Sequence, residues 1–201
     1  MFVAGIDEAG RGPLAGPVTA GCVILPDDFP CEILNDSKKL SEKKREMAEK
    51  IIKEKACWGL GIASHTEIDE MNILQATFCA MSRAYADALS KLGNWAARNG
   101  VEIPEGFMER QAEFVQAIVD GNRVPNLPCG ARAEVKADGK FPCVMAASII
   151  AKVARDRMMV EADALYPEYG YAKHKGYPTK AHKEVCRRIG PSPIQRMSFK
   201  Y

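Results

Sequence analysis

Four carboxylates stand where short apolar runs end. Asp7-Glu8 follows Val3-Ala-Gly-Ile6, Asp120 follows Ala117-Ile-Val119, and Asp138 follows Val135-Lys-Ala137. Runs of this kind predict strands, and the strand ends of one central sheet converge at one edge. If the three strands are neighbours, the four acids surround one point. Like charges placed that way repel one another and are tolerable only around a cation. Hard oxygen ligands without His or Cys select Mg²⁺ or Mn²⁺. Taken singly, an Asp after a strand is commonly a turn former, and Asp120-Gly121 is an ordinary turn pair. The pair Asp7-Glu8 resists that explanation, because two adjacent acids before Ala9-Gly-Arg-Gly12 offer no packing benefit that smaller or apolar residues would not supply better.

The glycines that follow suggest a second chemistry. Gly10, Gly12 and Gly16 have the wrong spacing for a dinucleotide fingerprint, Pro13 and Pro17 interrupt it, and a strand rather than a helix is expected next. Gly10-Arg11-Gly12 instead lets backbone N–H groups approach a substrate closely, with a guanidinium beside them for phosphate. Lys38, Lys39 and Lys152 are candidate phosphate contacts, and His174 a candidate for phosphate or leaving group; for each, a solvated surface residue is the plainer reading. No Ser-His-Asp or Cys-His arrangement is visible. The seven cysteines contain no C-x-x-C pair, and His65, His174 and His182 do not fall at metal-ligand spacings, which argues against zinc and for free, mostly buried thiols in a reducing compartment.

The elements that must carry these residues can be read from periodicity. Phe2–Ile6 and Pro17–Leu25 predict an opening hairpin. Ser41 can cap a helix running to about Lys55, and Cys57–Ser64 reads as another strand. Ile68, Met71, Leu74, Phe78 and Met81 recur at helical spacing and predict one long helix over Thr66–Leu92, packed across the sheet. Gly93 to about Glu113 mixes helix breakers with both polarities and reads as an excursion. Strands over Phe114–Val119 and Ala131–Lys136, and helices over Val144–Leu165 and Thr179–Arg188, complete the chain. A hairpin followed by alternating strands and helices predicts an α/β domain, a mixed sheet flanked by helices, with a C-terminal helical segment from about residue 171.

Composition sets the frame for these elements. The 201 residues, 47% apolar and 27% charged, suffice for one core, so a single domain is expected. No apolar run approaches the roughly 20 residues that span a bilayer, and no basic leader opens the chain, so a cytoplasmic protein without membrane association is expected. The net charge of +2 conceals a split. Residues 171–201 carry eight Lys or Arg against one Glu, a net of +7, while the remainder carries twenty against twenty-five, a net of −5. A basic end suits phosphates and an acidic remainder suits a cation, with a solvated helix face as the alternative.

Six blocks of sequence carry a family resemblance. Gly5-Ile-Asp-Glu-Ala-Gly-Arg-Gly-Pro-Leu-Ala-Gly-Pro-Val18 resembles the opening signature of ribonuclease HII, and Asp36-Ser-Lys-Lys-Leu40 its next motif. Val119-Asp-Gly-Asn122, Lys136-Ala-Asp138, Ala146-Ala-Ser-Ile-Ile-Ala-Lys-Val-Ala-Arg-Asp156 and His174-Lys-Gly-Tyr-Pro-Thr179 follow in family order and reach across nearly the whole chain. The resemblance implies a ribonuclease H-like fold with a mixed five-stranded sheet. It implies an endonuclease that hydrolyses the RNA strand of RNA·DNA hybrids and incises at ribonucleotides embedded in duplex DNA. It further implies Asp7, Glu8, Asp120 and Asp138 as catalytic, metal-binding carboxylates, Gly10-Arg11-Gly12 as contacts to the ribonucleotide at the DNA junction, and Tyr177 packed on the adjoining sugar. Asp156 is not required by the family's active set and reads as structural, pairing with Arg155 or a helix end.

With Mg²⁺ or Mn²⁺ held by these carboxylates, the expected chemistry is two-metal hydrolysis leaving 5′-phosphate and 3′-hydroxyl ends, with Asp7 as the bridging ligand. The expected partners are RNA·DNA hybrids and ribonucleotide-containing duplexes, and the chain is expected to act as a monomer. Two other readings stay open: another ribonuclease H-like nuclease with a different substrate, and a nucleic-acid-binding protein with a vestigial site. Two departures from the family pattern are evident. The excursion after Gly93 is longer than the usual link, and Gln195–Tyr201 matches a sliding-clamp peptide poorly because Ser198 occupies the apolar anchor position.

Overall fold

The two opening apolar runs pair as an antiparallel hairpin, β1 (Phe2–Ala9) with β2 (Val18–Ile24), Ile6 lying opposite Cys22, in a computed structural model that describes residues 1–107 and 109–200 and, at Ala112, the backbone alone. Every residue of β2 is buried, as a strand covered on both faces requires. The helix α1 (Glu42–Lys55) begins where Ser41 accepts a hydrogen bond from the Lys44 N–H, and β3 (Cys57–Ala63) then runs antiparallel to β2.

The single long helix expected over Thr66–Leu92 is two, α2 (His65–Met71) and α3 (Ile73–Asn99). Asn72 divides them. Its φ of 73° takes the backbone out of the helix, and its side-chain oxygen accepts from the Leu74 and Gln75 N–H groups, starting the next helix. Apolar periodicity continues unbroken across the join, which is why spacing alone does not reveal it. At its far end α3 runs through Gly93 and Asn94 to a left-handed Gly100, burying Leu92, Trp95 and Ala96, so the excursion begins later than its breakers suggest.

A short helix α4 (Gln111–Phe114) leads into β4 (Val115–Asp120), and β5 (Gly130–Glu134) follows. The strand order is β3-β2-β1-β4-β5, with β1, β4 and β5 mutually parallel, so the expected mixed five-stranded sheet is present and the ends of those three strands point to one edge. Two helices cover the two faces. The helix α3 crosses β3 where Gly59 and Gly61 leave room for its backbone: a Cβ at Gly61 would lie 1.9 Å from the Ala80 carbonyl oxygen. On the opposite face α5 (Pro142–Leu165) approaches β1 and β2 at Gly5 and Gly21 in the same way.

The C-terminal segment adds α6 (Tyr171–His174) and α7 (Lys180–Ile189), the latter capped by Thr179. Its tail is tied back by Asp69 of α2, which accepts from the N–H groups of Met197 and Ser198. Tyr201, the last residue compared with a clamp peptide, lies outside the described residues. No described helix is long and apolar enough to cross a membrane. The free cysteines are less uniformly buried than expected: Cys22, Cys57, Cys143 and Cys186 are buried, Cys79 and Cys129 half-buried, and Cys31 exposed.

Candidate active site

Parallel pairing puts Ile6 of β1 beside Val119 of β4, so the next residues along, Asp7 and Asp120, share one sheet edge. Asp7 and Glu8 lie within β1 rather than beyond it, because β2 extends the ladder to Ala9. Asp138 arrives differently from its expected place after a strand. The strand β5 stops at Glu134, Lys136 takes a left-handed φ of 58°, and Asp138 sits in a 3-10 turn over Ala137–Gly139. That turn is drawn in by Asp120, whose Oδ1 accepts from the Ala137 N–H at 2.6 Å. One ligand oxygen each from Asp7, Asp120 and Asp138 lie within 4.8 Å of one another.

Glu8 stands outside this trio. It pairs with Arg11 at 3.4 Å, while its own N–H donates to Asp7 Oδ1 at 2.7 Å. Together with Asp120, Asn122 and Phe78, Glu8 and Arg11 border a cleft that opens beside the carboxylates.

The electrostatics of the cluster are those of an incomplete site. Burial pushes the Asp7 carboxyl well above the usual range, and the charges of Glu8 and Asp120 push it further. Burial also raises Glu8, with Asp120 adding to it and Arg11 opposing, and it raises Asp120, with Asp138 adding and the Ala137 N–H opposing. The Lys38 ammonium lies 3.4 Å from Asp138 Oδ2; partial desolvation works against its charge, but Asp138 and Asp7 outweigh that and hold its pKa up. Lys38, expected at a phosphate, thus sits against the carboxylates themselves. An all-oxygen donor set of this kind suits a hard divalent cation.

The loop after β1 lies next to the cluster through the Glu8–Arg11 pair. Gly10 has φ 100°, and a Cβ there would fall 2.0 Å from Arg155 Nε, so the position accepts glycine alone. Gly12 differs: a Cβ there would meet nothing closer than Tyr177 Cε1 at 3.8 Å. Tyr177 is 40% exposed, with Lys152 Nζ 6.0 Å and the Arg155 guanidinium 5.9 Å from its ring centroid. Gly12, Tyr177 and Lys152 are therefore brought together, as their candidacy for substrate contact requires.

Other expectations need correction. Asp156 pairs with Lys152 at 2.8 Å and Arg45 at 4.0 Å, not with Arg155. His174 is half-buried, with both ring nitrogens engaged within the fold: it accepts from the Gly176 N–H, bonds the Tyr169 carbonyl and stacks on His182 at 4.4 Å. Arg196, counted in the basic end, is fully buried, and half-buried Lys175 turns to the Ala172 carbonyl; the exposed basic residues of that end are Lys173, Lys180, Arg187, Arg188 and Lys200. Lys39 is exposed. Sequence reasoning gave no weight to Ser148, whose hydroxyl meets both Asp7 and Ser37, because a serine on an apolar helix carries no distinguishing signal. A cavity of about 490 Å³ between Phe2, Ile24, Trp95 and Phe114 lies at the other end of the sheet, and its lining carries no such cluster.

Comparison with known proteins identifies the family and the fold. The family model described as Ribonuclease HII matches residues 4–201. The ribonuclease HII of Treponema denticola is 55% identical over 202 residues, covering 98% of both chains. Among solved structures, a chain of the PCNA:RNase HII complex from Archaeoglobus fulgidus superposes with a TM-score of 0.70 at 26% identity, covering 100% of this chain and 96% of that one. The ribonuclease H2 of Pyrococcus horikoshii OT3 gives 0.68 at 27% identity, covering 100% and 94%. With the family matched from the first strand to the tail and the ribonuclease H-like sheet beneath it, the chain belongs to the ribonuclease HII family and is a ribonuclease H endonuclease.

Proposed function

We propose that this ribonuclease H incises duplex DNA at single embedded ribonucleotides as well as cutting the RNA strand of hybrids, with Asp7, Glu8, Asp120 and Asp138 as its catalytic, metal-binding carboxylates. The observation that carries this reading is the meeting of Asp7, Asp120 and Asp138 within 4.8 Å at one sheet edge. Asp7, at the centre and most buried, is the shared ligand; Glu8 completes the set once Arg11 turns from it to a phosphate. Two Mg²⁺ or Mn²⁺ ions, when bound, supply activation of the attacking water and stabilisation of the leaving 3′-oxygen.

The chain's own residues orient the substrate. Backbone N–H groups of Gly10-Arg11-Gly12 approach the ribose, since glycine leaves no Cβ in the way, and the Tyr177 ring beside Gly12 packs on the adjoining sugar. Lys38, beside Asp138, and Lys152, beside the Tyr177 ring, hold flanking phosphates. The products carry 5′-phosphate and 3′-hydroxyl ends, because water and not the neighbouring 2′-hydroxyl attacks.

The test is a duplex carrying one ribonucleotide, incubated in turn with Mg²⁺, Mn²⁺ and chelator, with the cut mapped to the nucleotide. Cleavage with either metal, confined to the ribonucleotide and leaving a 5′-phosphate, is expected. Equal cutting of an all-DNA duplex would assign a different nuclease activity, and binding without cleavage in either metal would leave a binding protein with a vestigial site.

A further inference from the structure

Two arginines are buried beneath the Gly10–Pro17 loop, Arg155 1% exposed and Arg196 fully enclosed, and neither forms an ion pair with an acid among the described residues. An unpaired buried guanidinium is costly unless its donors are all used. Here all five donors of Arg196 and three of the five of Arg155 are used on carbonyls. Arg196 donates from Nη2 to Gly10 and Pro17, from Nη1 to Arg11 and Pro13, and from Nε to Gly16, all within 3.0 Å. Arg155 donates to Ala15, Pro17 and Lys175.

The arrangement has a direction. Carbonyls of the loop turn inward to the guanidiniums, and the N–H groups of Arg11 and Gly12 find no acceptor among the described residues. The peptides that carry the Arg11 and Gly12 N–H groups are thereby fixed with their positive ends free for a ligand oxygen, over two guanidiniums that form no ion pair, while the Leu14 and Gly16 N–H groups donate within the fold to Gly176 and Ile194. Arg155 also joins the loop to the turn that carries Tyr177, through the Lys175 carbonyl at 2.8 Å, with its guanidinium close to the Tyr177 ring.

We propose that Arg155 and Arg196 are positioning residues for ribonucleotide discrimination: they lock the Gly10-Arg11-Gly12 loop and the Tyr177 turn into one rigid element whose free N–H groups meet the 2′-hydroxyl and its phosphate. Neither arginine touches substrate. This rests on the reading of Gly10–Gly12 and Tyr177 as ribonucleotide contacts given above. A lysine at either position keeps the charge but reaches one or two carbonyls where the guanidinium spans three to five, so the loop loses its fixed dipoles while the carboxylates of β1 and β4 stay where they are.

The experiment measures Kd, in Ca²⁺ to prevent turnover, for a duplex with one ribonucleotide and for the same duplex in all-DNA form, in the parent, Arg196→Lys and Arg155→Lys. The parent must prefer the ribonucleotide duplex and cut it in Mg²⁺ or Mn²⁺; if it does neither, the functional reading fails before the arginines are tested. Given that preference, each variant is expected to lose about ten-fold of it while its affinity for the all-DNA duplex and its binding of Mn²⁺ alone stay within about two-fold of the parent. A general loss of structure would lower all three together. Preference kept at the parental ratio by a variant folded at the assay temperature overturns the proposal. Should Arg196→Lys be unfolded there, Arg155→Lys, which disturbs three bonds rather than five, decides on the same criteria.

Discussion

Two groups of buried charge adjoin the first loop, and the molecule treats them in opposite ways. At the ends of β1 and β4 the negative charges of Asp7, Glu8 and Asp120 are only partly compensated, by Lys38, Arg11 and a few N–H groups, and burial holds all three carboxyls above their usual range. A few residues along, the positive charges of Arg155 and Arg196 have their donors taken up by backbone carbonyls. The first group is incomplete without something from outside. The second is complete from within, and what it leaves unsatisfied is passed on to the N–H groups of Arg11 and Gly12. On the reading proposed above, the uncompensated charge is where the ligand acts and the internally bonded charge is what aims it.

The comparison breaks most sharply if the carboxylates turn out to be structural. Asp7→Asn or Asp120→Asn keeps the shape and removes the charge, so cleavage should fall by about a thousand-fold or more, roughly 4 kcal/mol of transition-state stabilisation, in a single-turnover assay. The stability effect should run the other way. A carboxyl whose folded pKa is raised, as that of Asp7 is, contributes stability that is complete below its unfolded value of about 3.9 and lost as pH rises through the folded one. In chelator, therefore, the parent's melting temperature should decline from acid to neutral pH relative to Asp7→Asn, and added divalent cation should close the gap. A variant that melts far below the parent in chelator would place Asp7 among the structural residues.

On the aiming side, Tyr177→Phe keeps the ring beside Gly12 and removes the phenol, which should cost about ten-fold in kcat/KM, or 1–2 kcal/mol, on a single embedded ribonucleotide. Tyr177→Ala should cost more, and chiefly on that substrate. Parental rates for Tyr177→Ala would leave ribose reading to the Gly10–Gly12 backbone.

Lys38 tests how far the carboxylate cluster is compensated from within. Its ammonium is mostly exposed, so Lys38→Met should lower the melting temperature in chelator by only about 1–3 °C, and the difference should vanish once divalent cation is present. Cleavage should drop roughly three-fold. A deficit in melting temperature that persists with cation would mean that Lys38 supports the loop rather than the charge. The smallest effect is expected from the exposed basic end. Removing two of Lys180, Arg187 and Arg188 should flatten the logarithmic salt dependence of duplex affinity by about 2, and an unchanged slope would mark them as a solvated face.

Much of the carboxylate side was legible in the sequence, and little of the arginine side. Asp7-Glu8 stands out because adjacent acids interrupt an apolar strand, and Asp120 because it ends one. Asp138 was found, but the means of its arrival was not: nothing in the letters shows that Lys136 adopts a positive φ or that Asp120 captures the Ala137 N–H. Arg196 lies among eight basic residues and reads as surface charge, since carbonyls are the same in every sequence and leave no pattern to pair it with. Asn72 shows the same limit. Helical periodicity reports which face is buried, and it continues unchanged through a residue whose task is to cap.

The hydrogen bond from Arg196 to Gly10 spans 186 positions of chain. During synthesis, the Gly10–Pro17 loop is made about 10–40 s before its clasp at ordinary elongation rates. Over that interval the hairpin of β1 and β2 can form, but the carbonyls of Gly10, Arg11, Pro13 and Gly16 have only water to bond. A nascent chain that has not reached Arg196 therefore holds the carboxylate-bearing strands before it holds the clasp of the first loop, and the ordering of that loop becomes a late event in folding.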